Sequence, residues 1–473
     1  MQPSTDSPLQ FGQGFRPPAE TVKGLPGPFA WPIIGNVLPF LTSPPHIVLE
    51  RWAAEYGSAY RYQQGGASVV AISNQTLSKE ILKARPKTFR RHQRLADVIE
   101  STGFRGVFTA EGVTWERQRR LIMRGLTPTV VNGVAGHIDT VVQRLAERWR
   151  IDATDPQADL KHFSMDVVMW ASMGLDINCV DNPKQALSRS VDDWFKDISK
   201  QVRYPSALYA ISERLTGNRG VNSRKVLRDA ANDAINGARE RHSADPTQSN
   251  ILMALLRARL EPGTDFTDED IIGNTATMLL AGQETTASAI SWALYYLAKD
   301  TDYCGALRAC VERMPRDSDT ALGRRIPDEV QRFCNDVLRL RPVAPMLGLT
   351  TMEPVSLGGL RLEAGQKLVL LLREKDNRFG PKTLPRFIPL PPRPASSGAI
   401  YRDDSLAFGA GPRLCPGRYL AILEMMSVIA MVVCDFNISL DSSGSTDPSE
   451  GYSFSMHPER LPIRLTPRRP VLT

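Results

Sequence analysis

The chain has 473 residues, of which 42% are hydrophobic and 23% are charged, a balance that suits a globular protein with a large core. Its six cysteines show no CxxC pair and no regular spacing, which argues against a disulfide framework and indicates a reducing compartment. The formal net charge is +7, but no basic run with interleaved aromatic residues accompanies it, so we expect no nucleic-acid partner.

The N-terminal segment, residues 1–24, is polar and lacks both the charged and the apolar region of a signal peptide. We expect a flexible leader here and one folded domain over residues 25–473. The apolar run 29–40 is interrupted by Pro32 and Pro39, and a membrane span needs about 20 apolar residues. We therefore expect a cytoplasmic protein with no membrane span, and a monomer.

The hydrophobic pattern is mostly helical, with short strands in two regions. Helices are predicted over residues 46–55, most of 75–194, 224–243, 250–260 and 267–299, with 224–243 and 250–260 as polar helices at the surface. Strands are predicted over 59–63 and 68–72 around Gly65-Gly66, over 357–363 and 367–372, and over 452–471 after a polar turn at 441–451. The proline-rich stretch 385–397 is irregular. The fold class is mainly α with minor β-sheets.

Two stretches before the middle of the chain are candidates for binding. The segment 87–109 is mixed in character, and we expect a loop that serves as a substrate lid. A helix begins near Thr114, and Trp115 and Arg119 share one of its faces because they are four residues apart. Their N–H groups can bind one anion together; the alternative is the ordinary basic face of an amphipathic helix.

The longest helical pattern begins after Thr267, an N-cap followed by acidic residues in the first turn, and continues to about Lys299. Its least helix-friendly part is the middle, Ala281-Gly282-Gln283-Glu284-Thr285-Thr286. Gly282 permits the close approach of a ligand or a neighbouring chain. A threonine hydroxyl can bond to a carbonyl one turn earlier and open a groove for water or dioxygen. The alternative is a solvated acidic residue near a helix kink.

Residues 408–417 read Phe-Gly-Ala-Gly-Pro-Arg-Leu-Cys-Pro-Gly, and an apolar helical run follows. Glycine and proline make this a rigid loop that presents the Cys415 thiolate, with N–H groups turned toward its sulfur. The N-terminus of the following helix favours a thiolate over a thiol. One anionic sulfur held in this way suits the proximal position of a haem iron. A structural or nucleophilic cysteine is the alternative.

The pattern Phe-x-x-Gly-x-Arg-x-Cys-x-Gly in this loop resembles the haem-binding loop of the cytochromes P450. Leu25-Pro26-Gly27-Pro28 is similar to the start of the folded part in many P450s, and residues 281–286 resemble their distal helix motif. The motifs keep the family's order from about Leu25 to Glu424. The resemblance implies the cytochrome P450 fold, with haem b between the long distal helix and the cysteine loop with its proximal helix.

The resemblance also implies roles for single residues. Cys415 would ligate the iron, Thr285 would hold the hydrogen bond on the dioxygen side, and Glu284 would feed protons. The implied haem contacts are Trp115, Arg119, Arg413, Phe408, Gly409, Gly417 and Ala281. The expected substrate contacts are Leu280, Ala281, Val343, Met346, Leu347 and Phe454, together with the lid 87–109 and the segment 453–456. These residues are mostly apolar, so we expect a lipophilic substrate such as a natural product or a fatty acid.

The chain departs from the family pattern outside the cysteine loop. Asp336 stands where the family has glutamate in a Glu-x-x-Arg pair, and we expect it to pair with Arg339 as a structural pair. The family's downstream arginine is missing, with Arg393 as a candidate replacement. Leu349 occupies a place where many relatives carry a basic residue for a haem propionate. These departures affect haem retention and the stabilising network rather than the iron ligand.

The expected reaction inserts one oxygen atom from O₂ into an organic substrate. No reductase-like segment is attached, so NAD(P)H electrons would come through a ferredoxin and ferredoxin reductase, or a flavodoxin-type donor. An acidic donor would be attracted by basic residues expected on the cysteine side, namely Arg117, Arg120, Arg413 and Arg418. The alternatives are a peroxygenase or rearrangement enzyme with the same fold, and a non-catalytic haem- or ligand-binding protein.

Overall fold

A computed structural model describes residues 9–64, 66–184, 186–203, 219–244, 251–263, 266–314, 326–373, 405–441 and 448–468. Gly65, Arg393 and the proline-rich stretch 385–397 lie outside these ranges. The described helices are α1 (Leu38–Thr42), α2 (Pro45–Tyr56), α3 (Gln75–Lys83), α4 (Gln93–Ser101), α5 (Gly112–Gly125), α6 (Pro128–Ile151), α7 (Pro156–Met173), α8 (Ala186–Arg203), α9 (Arg219–Ala244), α10 (Ile251–Arg259), α11 (Asp268–Lys299), α12 (Thr301–Arg313), α13 (Asp328–Leu340) and α14 (Arg418–Asp435).

The described strands are short. They are β1 (Leu9–Phe11), β2 (Ala59–Gln64), β3 (Ala67–Ile72), β4 (Phe89–Arg91), β5 (Met346–Thr351), β6 (Val355–Leu357), β7 (Leu360–Leu362), β8 (Lys367–Leu371), β9 (Phe436–Leu440), β10 (Glu450–Tyr452), β11 (Met456–Pro458) and β12 (Ile463–Pro467). The predicted fold class, mainly α with minor β-sheets, is confirmed. Within the described part of the chain, no helix is both long and apolar enough to cross a membrane.

The largest sheet has the strand order β2-β3-β8-β5-β4. Its hairpin β2–β3 is antiparallel, as predicted, and β3 pairs with β8 in parallel. The smaller sheets have the orders β1-β6-β7, β10-β11 and β12-β9. Gly358 and Gly359 form the turn between β6 and β7 rather than lying inside a strand, because both have a positive φ. Glu450 and Gly451, predicted in a polar turn, begin β10.

The expectation of a flexible leader is wrong from Leu9 onward. Strand β1 pairs in parallel with β6, so that Leu9 lies opposite Val355. The backbone N–H of Gly12 donates to the Glu80 carboxylate at 2.6 Å. The short strand Leu9–Phe11 therefore forms the edge of a sheet whose other strands lie far along the chain. The sequence did not predict this strand, because the residues around it are polar.

Two further expectations need correction. The segment 87–109 is not one loop: it contains β4, which pairs with β5, and the helix α4. Helix α10 is not a polar surface helix, since most of its side chains are buried and it packs against α5. A Cβ on Gly125 of α5 would lie 2.7 Å from Cγ2 of Ile251, so glycine is what allows this close approach.

The long helix α11 is present with the bounds that the sequence predicts, and most of its side chains are buried. Thr267 caps it in a capping box with Asp270, and its 32 residues extend about 48 Å. It packs most extensively against α7. A Cβ on Gly282 would lie 2.6 Å from Cγ2 of Val168 in α7. Gly282 therefore allows the close approach of a neighbouring helix, α7, which is one of the two possibilities that the sequence left open.

Candidate active site

The loop before α14 is shaped by its glycines. Gly409 and Gly411 have φ values of +77° and +69°, which residues with a Cβ rarely adopt. A Cβ on Gly411 would also lie 2.5 Å from Cα of Lys83, so the loop sits directly on the end of α3. The Cys415 N–H donates to the Phe408 carbonyl at 3.0 Å and closes the loop. The loop therefore holds Cys415 in one position.

Opposing effects act on the Cys415 thiol. Burial raises its pKa, whereas hydrogen bonds from the backbone N–H groups of Gly417 and Arg418 and the charges of Arg119 and Arg418 lower it. These N–H groups lie at the start of α14, where the helix dipole is also positive. The surroundings therefore offer an anionic sulfur both donors and positive charge, which suits a thiolate ligand.

The structure brings Trp115, Arg119 and Arg413 together, as the sequence suggested. Arg119 donates from Nη2 to the Leu414 carbonyl at 2.6 Å. The Arg413 guanidinium lies 4.6 Å from the centroid of the Trp115 ring and pairs with the Glu111 carboxylate at 2.5 Å. Helix α5 and the cysteine loop are thus joined next to the sulfur.

The residues around Cys415 fit a flat, anionic-edged group such as haem. A Cβ added at Gly409 or Gly417 would meet nothing within 4 Å, so both glycines border open space. Within the described ranges, the buried Nε of Arg413 has no hydrogen-bond partner, although Nη2 donates to the Ala110 carbonyl. Cys415 would hold the iron, and Arg413 would offer its Nε to an anionic edge.

In the middle of α11, Thr285 and Glu284 bond in different directions. The Thr285 hydroxyl donates to the Ala281 carbonyl at 2.6 Å, the bond to the preceding turn that the sequence suggested. The Glu284 carboxylate accepts a hydrogen bond from the Ser453 hydroxyl, in the loop between β10 and β11. Ser455 in the same loop bonds to the Ser288 hydroxyl at 2.9 Å. The sequence did not single out Ser453 as a partner of Glu284.

The expected substrate residues are only partly brought to one place. Phe454 lies between Phe108 and Phe195, with ring centroids 6.2 and 6.4 Å away. Met346 and Leu347 are partly exposed on β5. Leu280 is 1% exposed and packs in the core, so it offers a substrate almost no surface, which corrects the expectation. Val343 is 9% exposed and accepts a backbone hydrogen bond from Met456 at 2.8 Å.

The Asp336–Arg339 pair forms, but loosely: Nε of Arg339 lies 3.7 Å from Oδ1 of Asp336, beyond hydrogen-bond distance. The basic face also differs from the expectation. Arg117 pairs with Asp270 at 3.1 Å, and the Arg413 side chain is 6% exposed, so neither offers a free charge to a partner.

The sequence missed a buried ionic cluster around Glu450. His46, Arg341 and Arg373 approach this carboxylate at 2.8, 2.5 and 2.6 Å. Burial alone would raise the pKa of Glu450, but the hydrogen bond from His46 and the charges of Arg373 and Arg341 lower it far below its ordinary value. The cluster therefore contains an ionised carboxylate that joins α2, β8, β10 and the end of α13.

Comparisons with known proteins agree with this geometry. Several curated relatives match most of the chain. A self-sufficient cytochrome P450 monooxygenase of Oidiodendron maius is 25% identical over 445 residues, covering 88% of this chain and 40% of the relative. The carotene epsilon-monooxygenase of Arabidopsis thaliana is 26% identical, covering 83% of this chain and 76% of the relative. The pentalenene oxygenase of Streptomyces avermitilis is 23% identical, covering 94% of this chain and 97% of the relative.

The chain thus spans less than half the length of the Oidiodendron relative and nearly the whole length of the Streptomyces one. The family model described as Cytochrome P450 matches residues 25–465. This match confirms the resemblance carried by the cysteine loop and the distal helix. The chain belongs to the cytochrome P450 family of haem-containing oxidoreductases.

Proposed function

We propose that the chain is a haem-thiolate monooxygenase that inserts one oxygen atom from O₂ into a lipophilic organic substrate, with haem b as its cofactor. Bound haem would supply the iron centre at which O₂ is activated. The observation that carries the proposal is the setting of Cys415. Its sulfur receives two backbone N–H groups beside the Arg119 charge, in a loop that requires glycine. A cysteine that only packs in the core is a neutral thiol and does not require N–H donors or positive charge around its sulfur.

The hydroxyl and carboxylate groups of α11 support a role in proton delivery. The Thr285 hydroxyl donates a hydrogen bond to the Ala281 carbonyl, so its oxygen lone pairs remain able to accept one. Glu284 is held by Ser453 and is partly exposed, so its carboxylate is open to water. In this proposal Glu284 takes up protons and Thr285 directs them toward the reacting oxygen.

The aromatic side chains support a lipophilic substrate. Phe108, Phe195 and Phe454 come from the segment 87–109, α8 and the β10–β11 loop, and their neighbouring rings are a little over 6 Å apart. Such aromatic groups favour an apolar ligand by area and shape rather than by charge. The substrate contacts in the proposal are therefore these rings with Ala281, Met346 and Leu347.

For the electron supply we propose a separate ferredoxin with its NAD(P)H-dependent reductase, or a flavodoxin-type donor. Arg120 is exposed and Arg418 is partly exposed beside the cysteine loop, which supports an acidic partner. A covalently joined reductase is the alternative, because the Oidiodendron relative is named self-sufficient. The proposal further includes one catalytic domain, with strand β1 as part of it, that works as a monomer in the cytoplasm.

The proposal is tested by turnover with a lipophilic substrate found in a binding screen. A ferredoxin, its reductase and NAD(P)H should support product formation only when O₂ is present, and one atom of isotopically labelled O₂ should appear in the product. Product formed with peroxide, but never with the electron-transfer proteins, would instead indicate a peroxygenase. Ligand binding with no oxidation under either condition would indicate a binding protein.

A further inference from the structure

Three guanidinium groups and one carboxylate lie together beside the cysteine loop. Arg413 pairs with Glu111, while Arg85 and Arg91 act electrostatically on each other and on both members of that pair. Among these four groups, the formal charge is +2. The cysteine loop rests on Lys83 at the end of α3, and Arg85 is only two residues further along the chain. Arg85 therefore starts from a backbone position close to the cysteine loop.

This positive charge is buried. Arg85 is 4% exposed, and in the described part of the chain neither its Nε nor its Nη2 has a hydrogen-bond partner; the same holds for the buried Nε of Arg91. Burial and the neighbouring guanidinium groups lower the pKa of Arg85 to about 9 and that of Arg91 to about 10. Unpaired buried charge is costly, so the cluster is complete only with an added anion.

The position of Arg91 shows where that anion would lie. Arg91 ends β4 and is opposite Leu349 of β5 in the antiparallel register, so the two side chains share one face of the sheet. Leu349 occupies the place where many P450s carry a basic residue for a propionate. The Arg91 guanidinium lies 3.9 Å from the centroid of the Phe108 ring, which orients it.

We propose that Arg91, with Arg85 behind it, supplies the propionate-binding cation that Leu349 does not, so that the cluster of Arg85, Arg91, Arg413 and Glu111 binds the two carboxylates of haem. The cation is contributed by the strand next to the expected one. The inference rests on the haem binding proposed above. It also explains why the buried Arg85 and the half-buried Arg91 have no carboxylate partners of their own in the described structure.

The proposal predicts that removing the charge has opposite effects on the two forms of the protein. In the apoprotein, Arg91→Met removes an uncompensated buried charge, so the midpoint of urea unfolding should stay the same or rise. In the holoprotein it removes a charge-assisted hydrogen bond, so haem should leave about 10- to 100-fold faster. A purely structural arginine would stabilise both forms.

The test measures haem transfer from the substrate-free holoprotein to an excess of apoglobin, and urea unfolding of the apoprotein. Arg91→Lys should restore part of the haem retention, and Leu349→Arg added to Arg91→Met should restore it from the neighbouring strand. Arg341→Met is the matched control. It removes a buried guanidinium that does have a carboxylate partner, Glu450, and should destabilise the apoprotein.

Three results would overturn the inference. Unchanged haem loss in Arg91→Met, with weaker binding of a fatty acid, would assign the cation to a substrate carboxylate. A destabilised apoprotein would mean that a carboxylate outside the described ranges already pairs with Arg91. Haem loss as slow as in the parent, in both Arg91→Met and Arg85→Met, would show that neither residue binds a propionate. If the parent binds no haem with a thiolate spectrum, the proposed function itself fails.

Discussion

At the scale of single residues, Glu284 shows how the site joins two distant parts of the chain. Its carboxylate is held by the Ser453 hydroxyl, whereas Ser455 reaches only the Ser288 hydroxyl and the Glu284 backbone. Glu284→Gln removes the proton-exchanging group, and the product formed per NAD(P)H consumed should fall about 10-fold or more. Ser453→Ala should cause a smaller fall, because the carboxylate remains but loses its orientation.

Ser455→Ala is the matched control for this prediction, since it removes a hydroxyl from the same loop without touching the carboxylate. Its coupling of NAD(P)H to product should stay within about 2-fold of the parent, as expected for a group outside the proton route. Equal losses in Ser453→Ala and Ser455→Ala would show that the loop matters only for packing.

Glu424 in α14 provides a pH-dependent prediction at the same scale. Burial raises the pKa of Glu424 well above its ordinary value, opposed only in part by the Ser164 hydroxyl, which donates at 3.0 Å. The folded protein therefore binds a proton that the unfolded chain releases above its pKa of about 4.5. Stability from this group is complete below that pH and is lost as pH rises toward the folded pKa.

Glu424→Gln keeps the shape and a hydrogen-bond acceptor but does not titrate. Its free energy of unfolding should match the parent near pH 4 and exceed it increasingly as the pH rises toward 8. Urea unfolding at a series of pH values measures this difference. A difference that is constant with pH would mean that Glu424 is ionised in the folded protein.

At the scale of elements, the packing of α11 on α7 depends on Gly282. Alanine is favoured over glycine in a helix by about 1 kcal/mol. The new methyl group would lie 2.6 Å from Cγ2 of Val168, and such overpacking costs about 1–3 kcal/mol. The clash outweighs the propensity, so Gly282→Ala should lower the free energy of unfolding by up to about 2 kcal/mol.

Gly305→Ala in α12 is the control, because its Cβ would meet nothing within 4 Å. This variant should be more stable than the parent by up to about 1 kcal/mol. Chemical denaturation of both variants compares the two effects. A Gly282→Ala protein as stable as the Gly305→Ala protein would show that α7 yields to the methyl group without cost.

The elements that the sequence predicted correctly are those with local signals. The acidic first turn after Thr267 marks the start of α11, and the Gly65-Gly66 pair between two short strand segments marks the hairpin β2–β3. Strand β4 was missed because its three residues form a strand only by pairing with β5, much later in the chain. Helix α10 was wrongly predicted to lie at the surface, because its arginines and polar neighbours suggested a polar helix although most of its side chains are buried.

At the scale of the whole molecule, an ionic cluster joins segments that are far apart in the sequence. Its members are His46, Arg341, Arg373 and Glu450. Glu450→Gln would leave the buried Arg341 without its carboxylate, whereas Arg373 would keep its pair with Glu50 at 3.1 Å. Breaking a buried pair in this way costs about 3–5 kcal/mol. We therefore expect a loss of that size in the free energy of unfolding, measured with urea at neutral pH.

The exposed Glu459, which accepts a hydrogen bond from Ser449 at 2.5 Å, is the control for this change. Glu459→Gln should alter the free energy of unfolding by less than about 0.5 kcal/mol. If Glu450→Gln also changed the free energy of unfolding by less than about 0.5 kcal/mol, the cost of burying the charged groups would equal the stabilisation from their ion pairs. No local sequence signal indicates this cluster, because its members are brought together only by the complete fold.

The cysteine loop and the middle of α11 could be predicted because short motifs encode them. Their partners, such as Ser453 for Glu284, depend on tertiary packing and were not predictable. The same holds for the cations near Cys415, where Arg85 and Arg91 lie more than three hundred residues before the loop they approach.

The most direct test of the central claim is the absorption spectrum of the reduced protein under carbon monoxide, for the parent and for Cys415→Ser. The account predicts a strongly red-shifted Soret band in the parent, because a thiolate ligand would donate electron density to the iron. Cys415→Ser should lose this band. A parent that binds no haem, or a Cys415→Ser protein with an unchanged band, would contradict the account.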